Sequence, residues 1–238
     1  MKVSKRLFEL ETESAFSILA KANELSAQGK DIINLGIGQP DFETPKNIQE
    51  AAIKAIKDGK HGYTASNGIL ELREAISNML LTDYNNKISP EEILITPGGK
   101  PVIFFSALMF GGKEHEIIYP DPGFPIYRSM IKYSGAKAVP LTLKEEDNFN
   151  INIKKLESLI NEKTSLIIIN NPNNPTGSFM QKKQIDDLVG LLEKYKHVYI
   201  LSDEIYSNIV FDNHKMPSLL EYNNLNDRLI ILNGWSKT

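Results

Sequence analysis

From Glu92 onward the chain alternates short apolar runs with helical patterns, and no other feature narrows its fold as much. The runs are Ile93–Ile95, Glu116–Tyr119, Ala138–Leu141, Leu166–Ile169, Val198–Leu201 and Leu229–Leu232. Apolar residues at helical spacing fill several of the gaps, notably Lys100–Met109, Lys154–Ile160 and Lys182–Tyr195. A run with no polar side to offer solvent suits a strand buried on both faces, and strands separated by helices pair in parallel. The pattern therefore predicts an α/β fold, a three-layer sandwich around a mainly parallel sheet. Ahead of it the spacing predicts a helix over 13–29 ended at Gly29, a short strand Ile32–Leu35 and a Gly/Pro-rich loop, Gly36–Pro45. A helix over Lys46–Asp58 comes next, then another from about Gly68 with Leu70, Leu72, Ile76, Leu80 and Leu81 on its apolar positions.

Composition removes several function classes. The formal net charge is −3, and the longest basic clusters are the pairs Lys154–Lys155 and Lys182–Lys183, which read as solvated helix faces. Nothing in this points to nucleic acid or to an acidic membrane surface. There is no cysteine, so no disulfide or thiolate metal site forms. His61, His115, His197 and His214 are scattered outside every motif, and no metal is expected. The polar opening stretch does not read as a secretory signal and no segment approaches a membrane span, so a cytoplasmic protein is expected.

In open α/β sheets ligands gather beyond the carboxyl ends of the strands. Leu166–Ile169 runs into Asn170-Asn171-Pro172-Asn173-Asn174-Pro175-Thr176-Gly177. Val198–Leu201 runs into Ser202-Asp203-Glu204-Ile205-Tyr206, and Leu229–Leu232 into Asn233-Gly234-Trp235-Ser236-Lys237-Thr238. Amides, a carboxylate with a phenol, and a lysine thus meet at one edge. Thr96-Pro97-Gly98-Gly99-Lys100 opens a helix after Ile93–Ile95, where glycines and a helix N-terminus suit a phosphate. It is not a P-loop, since no Ser or Thr comes after Lys100. Gly36-Ile37-Gly38 is not a dinucleotide fingerprint, because Pro40 and Asp41 interrupt it. Ser134-Gly135-Ala136-Lys137 fits a serine–lysine spacing but has no companion motif.

Taken together these blocks resemble the class I/II aminotransferases of the fold type I pyridoxal-phosphate group. The likeness starts at Asn34-Leu35-Gly36-Ile37-Gly38-Gln39-Pro40-Asp41-Phe42 and passes through Gly62-Tyr63-Thr64 and Leu72-Arg73. It continues in Pro122-Gly123-Phe124-Pro125-Ile126-Tyr127, the Asn-Pro-Thr-Gly and Asp-Glu-Ile-Tyr blocks and Ser236-Lys237. It implies residues 1–45 as an N-terminal arm with a small-domain segment, and 46–238 as an incomplete large domain that binds pyridoxal 5'-phosphate. By the same likeness Lys237 would hold the cofactor as a Schiff base and shuttle the substrate's α-proton. Asp203 would pair with the pyridine nitrogen, Tyr206 and Asn174 with the ring's phenolic oxygen, and Phe124 would stack on the ring. Backbone amides of Gly98, Gly99 and Lys100 would hold the phosphate. Gly38, Phe124 and Asn174 would lie near the substrate, and Tyr63 would reach the phosphate of a neighbouring subunit in a homodimer with shared active sites.

The implied activity moves an amino group from an L-amino acid to a 2-oxo acid. A C–S β-lyase or cyclopropane-forming synthase would carry nearly the same blocks, and a non-catalytic cofactor-binding regulatory module is the alternative of another class. Two departures from the pattern stand out. Gly234 occupies a position where many relatives have a phosphate-binding serine. The sequence also stops at Thr238, short of the arginines that the likeness implies for the phosphate and the substrate carboxylate. As an isolated polypeptide it is expected to be poorly stable, with an uncovered sheet edge and no turnover.

Overall fold

Among the described residues five strands form one sheet: β1 (Glu116–Asp121), β2 (Lys137–Thr142), β3 (Thr164–Asn170), β4 (Tyr199–Asp203) and β5 (Leu229–Leu232). All pairings are parallel, in the order β2-β1-β3-β4-β5. The structure is a computed structural model that describes residues 3, 4, 7, 8, 10, 14–212 and 214–237. The helix start expected at residue 13, part of the polar opening stretch and Thr238 lie outside the described residues. The helices are α1 (Ser14–Ala27), α2 (Lys46–Lys57), α3 (Leu70–Tyr84), α4 (Lys100–Phe110), α5 (Ile126–Ser134), α6 (Ile153–Leu159) and α7 (Lys182–Leu192).

Side chains alternate across a strand, so each apolar run divides into two stripes. Ile117, Tyr119, Leu166, Ile168, Leu201 and Leu232 pack with Ile103 of α4 and with Tyr127 and Ile131 of α5. Ile118, Val139, Leu141, Ile167, Ile169 and Ile200 pack with Leu156 of α6 and with Ile185, Leu188, Val189 and Leu192 of α7. That is the three-layer sandwich expected from the runs, with a sheet that is parallel throughout.

The strand order explains which helix covers which face. The chain steps one way from β1 to β2, then crosses back to β3 and continues through β4 to β5. Right-handed crossovers in opposite directions deliver their helices to opposite faces, α5 to one and α6 and α7 to the other. The reversal falls between β1 and β3, which is where such sheets bind ligands.

Helix α7 shows how tightly one layer is fixed. Gln181 and Gln184 form a reciprocal capping box at its start. At its far end the Arg228 guanidinium donates to the carbonyls of Leu192 (2.7 Å), Val198 (2.9 Å) and Tyr195 (3.3 Å). The Leu192 and Tyr195 carbonyls also accept the N–H groups of Tyr195 and Val198, each at 3.1 Å, and a cation suits that end of the dipole.

The chain divides into two compact units, one of residues 38–96 and one of the remainder. Within the first, the buried Arg73 of α3 donates to the Gly68 and Pro90 carbonyls at 3.1 and 2.7 Å and to Glu91 at 3.1 Å. Gly68 has φ +98°, and a Cβ there would lie 2.4 Å from Ile95 Cγ1. A Gly68→Ala change combines backbone strain with overpacking and should cost about 3 kcal/mol, read as a lowered urea midpoint of the full-length protein.

Two expected strands are absent. Ile93 is extended, yet Ile95 donates its N–H to Asn67 O at 3.1 Å rather than to a ladder. Ile32–Leu35 is irregular, with Ile33 and Leu35 86% and 91% exposed. Apolar composition alone does not make a strand, which also needs a neighbouring ladder to take its N–H and C=O groups.

Candidate active site

The register brings the chemistry-bearing strand ends level. Asn170 of β3 pairs with Asp203 of β4, and Asp203 pairs with Leu232 of β5. On the other side Ile118 of β1 pairs with Ile167, three residues before Asn170, as Ile118 is three before Asp121. The segments leaving these four strands therefore emerge along one edge of the sheet.

Asp203 is the centre of this edge. Its Oδ2 accepts from the Tyr127 hydroxyl at 2.5 Å and its Oδ1 from the Ile205 N–H at 3.2 Å. Burial pushes its carboxyl above the usual carboxylate range, and these two donors only partly offset that. Burial, and then the Asp203 charge, push the Tyr127 phenol well above its ordinary value, so it stays a proton donor. Among the described residues this carboxylate is held by two neutral donors, and a cationic ligand can supply the charge partner that a buried anion calls for. The sequence pattern assigns Tyr127 no role of its own. It comes about one helical turn after Phe124, and their rings meet edge to face at 5.8 Å.

The Asn-Pro-Thr-Gly segment is held from β3. The Asn170 side chain donates to the Asp203 carbonyl at 3.1 Å and accepts from the Asn174 N–H at 2.7 Å. Asn174 in turn donates its side-chain amide to Tyr206 Oη at 3.4 Å. The two residues expected to share one ligand oxygen thus stand side by side. The Tyr206 phenol is pushed up by burial and then by the Asp203 charge, with the Asn174 bond opposing.

The fourth component is the start of α4. Gly98 has φ +83° and Gly99 precedes the first helical residue. A Cβ on Gly99 would stand 3.1 Å from Leu232 Cδ2, so this helix N-terminus abuts the end of β5. The Lys100 ammonium lies over the Phe16 ring at 5.7 Å. Lys237, half-buried, sits in the turn Trp235–Lys237 after β5. A Cβ at Gly234 would come within 3.3 Å of Ile205 Cδ1, so a serine there would require Ile205 to shift.

Glu204, beside Asp203, has a surrounding that the sequence did not reveal. It is fully buried on the opposite face of the sheet, where Ser202 and Ser218 hydroxyls donate to its carboxylate at 2.9 and 2.6 Å. The Leu219 N–H adds a third donor at 3.3 Å, and Glu204's own N–H donates to Leu232 O at 2.8 Å. Burial outweighs these donors and pushes its carboxyl up to about 7.

Gly38 and Tyr63 belong to the unit of residues 38–96. There Gly38 has open space where a Cβ would stand, and the Tyr63 ring is fully exposed. Among the described residues, no group of three or more His, Asp or Glu side chains could hold a metal ion, and no helix is long and apolar enough to cross a membrane.

Comparison with known proteins identifies the family of the chain. A family model described as aminotransferase class I and II matches residues 30–238. A probable aspartate aminotransferase of Methanocaldococcus jannaschii is 42% identical over 208 residues, 87% of this chain and 54% of that protein. A probable aspartate/prephenate aminotransferase of Rickettsia felis is 37% identical over 236 residues, covering 99% of this chain and 58% of the relative. Among solved structures, aspartate aminotransferase from Thermus thermophilus with maleate superposes with a TM-score of 0.91 at 30% identity, over 100% of this chain and 61% of that one. The chain thus spans somewhat more than half the length of the relatives it matches. With a matching family model over most of its length and a fold shared with a solved aminotransferase, the chain belongs to the class I and II aminotransferases.

Proposed function

We propose that the whole protein is a pyridoxal-phosphate-dependent aminotransferase that moves the amino group of an L-amino acid to a 2-oxo acid, with Lys237 holding the cofactor. The observation that carries this reading is the buried Asp203 carboxylate, fixed by Tyr127 and Ile205 and level with the ends of β3 and β5. The donor set suits this group in kind. A buried anion suits a protonated ring nitrogen, an amide–phenol pair suits a phenolate oxygen, an aromatic ring suits a ring face, and a side-chain-free helix N-terminus suits a phosphate.

Bound there, pyridoxal phosphate supplies an electron sink for the bond broken at the substrate's α-carbon. The chain's residues do the rest. Asp203 keeps a proton on the ring nitrogen, and Tyr127 keeps Asp203 oriented. Asn174 and Tyr206 hydrogen-bond the ring oxygen, Phe124 covers one ring face, and the amides of Gly98, Gly99 and Lys100 hold the phosphate. Lys237 Nζ, when not holding the cofactor, would be the base that takes the proton from the substrate's α-carbon. Gly38 borders the substrate carboxylate. Tyr63 reaches a neighbouring subunit's phosphate in a cytoplasmic homodimer, a role compatible with its exposed ring.

The test is a visible absorption spectrum of the full-length protein with pyridoxal phosphate, before and after single L-amino acids. Aspartate comes first, since relatives carry its name. A visible band that Lys237→Ala removes, and that aspartate bleaches with release of a 2-oxo acid and no ammonia, is expected. Release of ammonia with the band intact would instead make the protein a lyase. Absence of any band in the wild type would end the assignment of Lys237.

A further inference from the structure

We propose that Glu204 is a positioning residue for Tyr206, its carboxylate clasping Ser218 and Leu219 to close the base of the segment 205–217. The inference rests on the proposed aminotransferase activity for what Tyr206 does, and on geometry for how Tyr206 is held. Glu204 begins the segment and Ser218 ends it. Between them Tyr206 faces Asn174, and Ser207 accepts from the Asn233 side chain at 3.3 Å.

The segment is packed at both ends, where Ile205 lies against the core and Met216 and Pro217 are buried, and the His214 ring meets Phe179 at 5.7 Å. Phe211, Asp212, His214 and Lys215 are exposed. Local turns, Ser207 N–H to Glu204 O and Ile209 N–H to Tyr206 O, shape its first half without anchoring it to the sheet. The clasp ties its two packed ends together, joining Glu204 to Ser218 and Leu219. Ser202 lies two residues back on the same strand face, and Ser218 also accepts from the Leu220 N–H at 3.0 Å. Three buried polar side chains sit here beside the apolar core of Ile200, Leu219 and Leu225. Such a network is retained at a cost in desolvation, and it specifies one arrangement where an apolar patch would tolerate several.

Glutamine keeps the clasp with one bond reversed, accepting from Ser202 and Leu219 through its carbonyl and donating through its amide to Ser218 Oγ, whose own O–H then turns away from residue 204. Alanine leaves those donors buried without an acceptor. Hydrogen exchange in the cofactor-free full-length protein separates the two. Exchange over 205–217 should quicken by about tenfold in Glu204→Ala and stay at the wild-type rate in Glu204→Gln, while β1 and β3 remain protected in both. Ser165→Ala, which removes a 2.6 Å bond to Phe110 O elsewhere in the same unit, should leave the segment unchanged. If Glu204→Ala does not fold, Ser218→Ala is expected to give a smaller acceleration confined to the same segment.

Loaded with pyridoxal phosphate, Glu204→Ala should move the pH titration of the visible band in the direction that Tyr206→Phe moves it. The double variant should move it no further than Tyr206→Phe alone. An unchanged exchange rate over 205–217, an equal acceleration across the whole sheet, or a band identical to wild type would overturn the proposal. A wild-type protein that forms no band defeats the aminotransferase reading instead, and the exchange rates still decide the clasp.

Discussion

Asp203→Ala in the full-length protein is expected to lower turnover by about 10²–10³-fold at saturating pyridoxal phosphate, the loss typical when one fixed electrostatic partner of a reacting system is removed. Two effects of the change are separable because Asp203 is the acceptor for Tyr127. Removing the carboxylate leaves a fully buried phenol with a donor and no acceptor, which costs about 1–3 kcal/mol of stability. Adding Tyr127→Phe removes the orphaned hydroxyl and should recover most of that stability. It should recover none of the turnover, because the ring nitrogen still lacks its anion. Melting temperature and steady-state kcat for the two single variants and the double variant check this as a cycle. If Asp203→Ala kept turnover within about threefold of wild type, the carboxylate would have no part in the chemistry.

Much of the layer structure is legible in the sequence because parallel strands buried on both faces leave an uninterrupted apolar trace. The run Leu229–Leu232 matches β5 to the residue, and the runs for β3 and β4 match to within two at either end. Ile93–Ile95 carries a similar trace, but its N–H group serves Asn67 and fixes the approach to Gly68. Which carbonyl takes a given N–H is a tertiary fact that no local pattern holds. The site divides in the same way. Asn174, Asp203 and Tyr206 lie just past strand ends, where an α/β sheet presents its ligands, and the structure brings the first and last into contact. Tyr127 lies 76 residues from Asp203 in the chain, on a nine-residue helix that starts directly after Pro125 and gives little periodicity to read. Glu204 has a visible identity and a hidden environment. Two serines, one on either side of it in the chain, must fold around it before its burial means anything.

That burial gives the cofactor-free protein a stability that falls as pH rises through the neutral range. Glu204 titrates at about 7 in the folded protein against an ordinary value of 4.5. Between these values the folded state keeps a proton that the unfolded chain has released, so each step upward in pH favours unfolding. Above about 7 both states are ionised and the dependence levels off. The gap corresponds to about 3 kcal/mol, lost between roughly pH 4.5 and pH 7. The titratable groups beside Glu204 are Asp203, across the strand, and Glu221, whose carboxylate accepts the Ser218 N–H at 3.3 Å. Asp203 is also shifted upward, so it acts in the same direction from its ordinary value of 3.8. Glu116 and Asp186 are shifted downward from 4.5 and 3.8, so their contributions fade only on acidification below those values and leave the window to Glu204 and Asp203. Urea midpoints taken at several pH values from about 5 to about 8 should therefore decline and then flatten. In Glu204→Gln, which has no proton to lose and retains the clasp, most of the decline should vanish. A wild-type curve that is flat or rises across this range would mean that the Glu204 carboxylate is ionised in the folded protein, and that its serine and backbone donors outweigh its burial.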